Sequence, residues 1–372
     1  MLWTGRATAR KSWVTAAAVS LTFAAPLAIG TERALAVSPQ VTQPATGTLT
    51  FGPSAIEGAG FQNVIAVSPF LDANGKRPVI AGADTAGFHI SLDQGANWRP
   101  RNAGLGPGPE RHIAGIAFSQ KVPGRVWAVA GVDSGMLLAS QDFGQTWGIV
   151  STAVDVAAGN TFDHPRPVGR VIVADESGGG TRLWVSTRRK GLMTTTNNGA
   201  TWSAVTPPAF TDGTALRGVT FDPANPSVVW VATARSGLWR VDAATSSTPQ
   251  PSRVVGGPDS VEEITLRNGK VYVAGDINGF WTYAISTKTW TKSAAPAATW
   301  GSIDTTVVAG KVVAYAGGVP TPGDKTTRGL WRSNDEGRTW AQVMSADRLH
   351  PEMVGSTKQW WLWDAVPGSM PT

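Results

Sequence analysis

Cysteine is absent from this chain of 372 residues, which excludes a disulfide framework, a zinc–thiolate centre and a cysteine nucleophile. Histidine is nearly as scarce. His89, His112, His164 and His350 stand far apart, with no spacing that suits a metal site. Neither a glycine-rich phosphate loop nor a Gly-X-Ser-X-Gly elbow occurs, so no cofactor is expected. Helical patterning is also missing, because 43 Gly and 25 Pro interrupt most windows and apolar alternation dominates between them. Beyond the first 36 residues no apolar run is long enough to span a bilayer.

Those first residues are a different kind of sequence. Arg6, Arg10 and Lys11 precede a mostly apolar stretch from Trp13 to Ile29, and Ala34-Leu35-Ala36 offers small residues for cleavage before Val37. This is the pattern of a secretory signal, so residues 1–36 are expected to be removed and 37–372 to form one domain. The mature chain then has 28 basic and 25 acidic groups, a formal charge of +3. That is too little to imply nucleic acid, and an exported chain without disulfides must be stabilised by burial.

What the chain has in quantity is one turn motif. Ser91-Leu-Asp93-Gln-Gly95-Ala-Asn-Trp98, Ser140-Gln-Asp142-Phe-Gly144-Gln-Thr-Trp147, Thr195-Thr-Asn197-Asn-Gly199-Ala-Thr-Trp202 and Ser333-Asn-Asp335-Glu-Gly337-Arg-Thr-Trp340 are four copies. Trp98, Trp147 and Trp202 are separated by 49 and 55 residues, a period typical of propeller blades or solenoids. The chemistry is local. Asp or Asn accepts backbone N–H groups across the turn, Gly takes a positive φ, the hydroxyl adds a side-chain bond, and the Trp ring drops between neighbouring sheets.

These octapeptides resemble the Asp-box, or BNR repeat, of sialidases, xyloglucanases and sortilin-type propellers. In those families the box carboxylates are structural, which is the role expected of Asp93, Asp142, Asn197 and Asp335. Aligned on the box, each unit carries three apolar segments before the turn. Second strands begin near Val79, Val126, Leu183, Val229 and Val271, and third strands open at Gly87, Gly135, Gly191, Gly237, Gly279 and Gly329. The fourth unit has lost its box and the fifth keeps a remnant ending in Trp290. The resemblance implies an all-β propeller of about seven four-stranded blades. Six are recognisable, and the last is either incomplete or closed by a strand from Gly47 to Phe51.

The turns between second and third strands share a face with the loops between blades, opposite the boxes. Two of them, Asp84-Thr-Ala-Gly-Phe88 and Asp276-Ile-Asn-Gly-Phe280, share one pattern. It resembles the Asp-X-Gly-Gly-aromatic segments of glycoside hydrolase family 74, the xyloglucan-cleaving Asp-box enzymes. That resemblance implies a secreted, monomeric glycan hydrolase of the inverting type with Asp84 as base and Asp276 as acid. Asp133 occupies the same turn of the second blade as a third carboxylate. The family's two residues come from two separate propellers, whereas both lie here in one ring. Phe88, Trp281 and Trp300 are the candidate aromatic contacts for a polysaccharide substrate.

Turn formation alone also accounts for Asp84 and Asp276, and core packing for the aromatics. A sialidase is disfavoured, since no aromatic-Arg-Ile-Pro segment occurs and only Tyr272, Tyr283 and Tyr315 are available as nucleophile. The remaining alternative is a non-catalytic extracellular propeller that binds a protein or polysaccharide.

Overall fold

The computed structural model describes residues 62–131, 135–152, 170–176, 180–187, 190–211, 216–275, 277, 279–294, 299–319 and 329–345. Within these, 24 strands form six four-stranded antiparallel meanders. The first blade is β1 (Gln62–Val67), β2 (Val79–Ala83), β3 (Phe88–Ser91) and β4 (Arg99–Pro100), and the second is β5 (Ile113–Phe118), β6 (Val126–Ala130), β7 (Met136–Ser140) and β8 (Gly148–Ser151). The third is β9 (Ile172–Asp175), β10 (Arg182–Ser186), β11 (Leu192–Thr195) and β12 (Ser203–Val205), and the fourth is β13 (Leu216–Asp222), β14 (Asn225–Thr233), β15 (Gly237–Asp242) and β16 (Gln250–Arg253). The fifth is β17 (Glu263–Arg267), β18 (Lys270–Ala274), β19 (Phe280–Ala284) and β20 (Thr289–Lys292), and the sixth is β21 (Thr299–Val308), β22 (Lys311–Val319), β23 (Gly329–Ser333) and β24 (Ala341–Ser345). The chain is a β-propeller, with the expected second and third strands in place. The leader, the strand from Gly47 to Phe51 and the chain after Ser345 lie outside the described residues.

Each box is built as its chemistry requires. In the first, Asp93 Oδ1 accepts from the Ser91 hydroxyl at 2.7 Å and from Asn97 N at 2.8 Å, while Gly95 N donates to Ser91 Oγ at 2.7 Å. The second and fourth repeat this geometry, with Thr146 and Thr339 donating both backbone and hydroxyl to the Asp. The residue before the box Gly is left-handed as well, at φ 66° for Gln94, 61° for Phe143, 53° for Asn198 and 61° for Glu336. That geometry costs about 1–2 kcal/mol per residue, so the side-chain bonds must hold it in place.

The core is a series of layers between blades, and aromatic rings fill it from both sides. Trp127, Trp184, Trp230 and Tyr272, all from second strands, are fully buried in the layer toward the following blade. The box tryptophans point the other way. Trp147 stacks on Phe88 of the preceding blade with centroids 3.8 Å apart and planes 8° apart, and Trp340 stacks on Phe280 at 4.2 Å. Gly144 therefore answers two demands. Its φ is 85°, and a Cβ there would sit 2.7 Å from Ile80 Cδ1 of the preceding blade.

The fourth blade, which has no box, is sealed by other means. A single helical turn, α1 (Pro208–Thr211), drops Phe210 into the layer between the third and fourth blades. There it meets Trp239 edge-on at 5.4 Å. The inner strands are also tied across the axis: Arg170, just before β9, reaches Asp304 of β21 at 3.4 Å, and Thr265 Oγ1 donates to the same carboxylate oxygen at 3.3 Å.

Two predictions follow from this packing. Phe88→Ala removes half of a stacked pair in a closed layer and is expected to cost about 3–5 kcal/mol in denaturant unfolding; a loss below about 1 kcal/mol would mean the stack does not carry the interface. The box carboxylates set the acid limit. Burial raises the pKa of Asp93, Asp142 and Asp335, but the bonds from Asn97, Thr146 and Thr339 and from the Ser hydroxyls outweigh it, and all three are lowered. A carboxyl depressed on folding contributes stability above its unfolded value, about 3.9, and loses it as pH falls through the folded value. The thermal midpoint should therefore drop below about pH 4, and Asn197→Asp, which adds a fourth titrating box, should make the drop steeper. An unchanged acid slope would refute the assignment.

Candidate functional site

The β2–β3 turn of the first blade is a closed and clamped structure. Ala83 N donates to Gly87 O at 2.8 Å, which loops out Asp84, Thr85 and Ala86. Gly87 has φ 75°, and a Cβ there would lie 2.1 Å from Asn102 Oδ1. That oxygen accepts from Phe88 N at 2.8 Å, and Asn102 Nδ2 donates to Ala86 O at 2.9 Å. Gly87 N donates in turn to Arg111 O, in the loop leading to the second blade, at 3.0 Å. Asp84 stands on this rigid base, half-exposed, with the Thr85 hydroxyl 3.1 Å from Oδ1.

The fifth blade closes its turn in the same way. Gly275 N donates to Gly279 O at 2.9 Å, Gly279 has φ 83°, and Ile277 at the tip is 74% exposed. Asp276 and Asn278 lie outside the described residues, as does Asp133. The third blade makes the same backbone closure, Thr187 N donating to Gly191 O at 3.0 Å, and the third and fourth blades add a side-chain bond, with the Thr187 and Thr233 hydroxyls donating to Gly191 O at 2.6 Å and Gly237 O at 2.8 Å. Basic residues follow these threonines, and Lys190 and Arg235 are exposed. The face is thus divided between acidic turns in the first and fifth blades and basic ones in the third and fourth.

The aromatic candidates are dispersed. Phe88 is fully buried, its ring committed to Trp147 rather than to the surface. Trp281 is half-buried between the fourth and fifth blades, 6.1 Å from Trp290 at right angles, with the Lys292 ammonium 5.4 Å from its centroid. Trp300 lies in β21 opposite Gly318, with its side chain outside the described set.

Two further groups at this face carry no motif. Asn102 is the clamp of the Asp84 turn, and its only trace in the sequence is an Asn two residues after β4. Glu262 immediately precedes and Glu263 opens the innermost strand of the fifth blade, and both are buried. Glu262 N donates to Ala274 O at 2.8 Å, directly before the Asp276 turn, and its carboxylate is 3.4 Å from Arg217 Nε of the fourth blade. Paired acids ahead of an apolar strand are the only sequence sign of this ion pair.

No protein family matches this chain by sequence, and no curated protein does either. Solved structures do. The chain resembles the family 74 xyloglucanase of Xanthomonas campestris with a TM-score of 0.63 at 17% identity, over 86% of this chain and 52% of that one. For the family 74 enzyme of Niastella koreensis the TM-score is 0.60 at 19% identity, over 79% and 46%. YCF48 bound to D1 peptide gives 0.51 at 16%, over 77% and 82%. The chain therefore spans about half the length of the glycoside hydrolases it matches and most of the YCF48 chain. At these identities the likeness is one of fold alone: the six blades are arranged as in the β-propellers of these family 74 enzymes and of YCF48.

Proposed function

We propose that this protein is exported after removal of residues 1–36 and acts, as a monomer, on a xyloglucan-type polysaccharide at the face of the β2–β3 turns. The observation that carries the reading is the Asp84 turn, a carboxylate presented to solvent on a backbone fixed by Asn102 and by Arg111 O. The repeated Asp-X-X-Gly-Phe pattern, with its closure at Gly275 and Gly279, supports a second such carboxylate, Asp276. In the inverting reaction Asp84 takes a proton from water as the oxygen bonds to the anomeric carbon. The glycosidic C–O bond breaks, and the Asp276 proton passes to the leaving oxygen. That requires carboxyls about 6.5–9.5 Å apart. Trp281 and Trp300 are the proposed platforms for the sugar faces, while Phe88 holds the turn from below.

A second reading draws on the likeness to YCF48, whose solved structure holds a bound D1 peptide. One ring of blades accounts for most of YCF48 but only half of each xyloglucanase. A propeller of this size can present the same face as a binding surface for a protein segment or a polysaccharide, without catalysis.

Reducing-sugar release from xyloglucan and mixed-linkage glucan by the mature protein separates the two. On the hydrolytic reading, Asp84→Asn and Asp276→Asn each lower kcat at least about 100-fold. Asn102→Ala, which frees the turn without touching substrate, lowers kcat about tenfold with little change in KM. No release by protein with an intact thermal transition would sink the hydrolase and leave the binding surface, to be measured by titration with the same polysaccharides.

A further inference from the structure

On the box face, away from the turns just described, a hollow of about 250 Å³ opens between the second and third blades. Lys121 and Arg125 come from the β5–β6 turn, Glu176 and Thr181 from the β9–β10 turn, and Thr196 and Asn198 from the third box. Its one acidic group is already engaged. Glu176 is 5% exposed, and its Oε1 accepts from the Ser119 hydroxyl at 2.7 Å and the Thr181 hydroxyl at 3.2 Å. Its Oε2 accepts from Gln120 N at 2.6 Å and Lys121 N at 2.9 Å. This carboxylate is a latch that fastens the turn of one blade to the next, and its negative charge is directed into the protein.

The cations have no such commitment. Arg125 donates from Nε to Gln141 at 3.1 Å and packs its plane near Trp127, but its terminal nitrogens have no acidic partner among the described residues. Lys121 is exposed, and its ammonium makes no ion pair among them either. Two cations against one buried carboxylate leave this concave polar site net positive, which favours an oxyanion, and Thr196 and Asn198 opposite can bond hydroxyl groups. The volume is about that of eight water molecules in the liquid, enough for a single sugar ring. We propose that this hollow binds a hydroxylated small molecule bearing one oxyanion, a sugar acid or a sugar phosphate.

Calorimetric titration of the mature protein at low salt with glucuronate, glucose 6-phosphate, inorganic phosphate and glucose tests this. Saturable binding of glucuronate or glucose 6-phosphate is expected, tighter than inorganic phosphate and absent for glucose, and the tighter of the two identifies the source of the oxyanion. Lys121→Met with Arg125→Met, which keeps the apolar stems, should weaken it by about tenfold or more. Asp84→Asn should bind as the unaltered protein does. No saturable binding, equal affinity for glucose or inorganic phosphate, or an unchanged affinity in the doubly substituted protein with a normal thermal transition would each overturn the proposal.

Discussion

The contact between successive blades is the constraint on which everything else in this molecule depends. A four-stranded meander has two apolar faces and cannot bury either alone, so each blade is stable only against its neighbours. Here the second strand sends an aromatic ring forward and the box sends a tryptophan back, as Trp127 and Trp147 do from the second blade. The box is therefore a connector. Its hydrogen bonds hold a left-handed residue and a glycine in place, so that the ring behind them meets the preceding sheet at stacking distance. Where the box is lost, the same space must still be filled, and Phe210 on its one-turn helix fills it.

This explains how much was legible in the sequence. Box register, the six recognisable blades and the glycine opening each third strand follow from local chemistry repeated at a fixed period, so they stand in the chain as patterns. Contacts between distant segments leave no such trace. Asn102 acts across the blade on the turn at Ala86, Glu176 acts on the backbone of the neighbouring blade, and neither belongs to a repeat. Phe88 illustrates a different limit. An aromatic after a third-strand glycine reads equally well as a sugar platform or as the seat of the next blade's tryptophan, and only the stacking on Trp147 distinguishes them.

The two faces use their side chains for opposite ends. On the box face the carboxylates are drawn inward: three box aspartates are held below their ordinary pKa by hydroxyl and backbone donors, and Glu176 is saturated by its own. On the other face the β2–β3 turns satisfy their backbone by closing on glycine, which leaves the side chains at their tips free to differ. The scaffold is common to all blades, and chemical individuality is confined to three or four residues per turn.

Arg170 and Asp304 join the third blade to the sixth, and Thr265 of the fifth joins them at the same oxygen. Those residues meet only after three successive sheets have been laid down between them, so the bond forms late on any path that assembles blades in order. An interaction made after the folding barrier slows escape from the native state without hastening arrival there. On such a path the strut acts as a kinetic lock: its removal would register in the unfolding limb of the chevron, and an effect confined to the refolding limb would mean that the strut is already formed at the folding barrier.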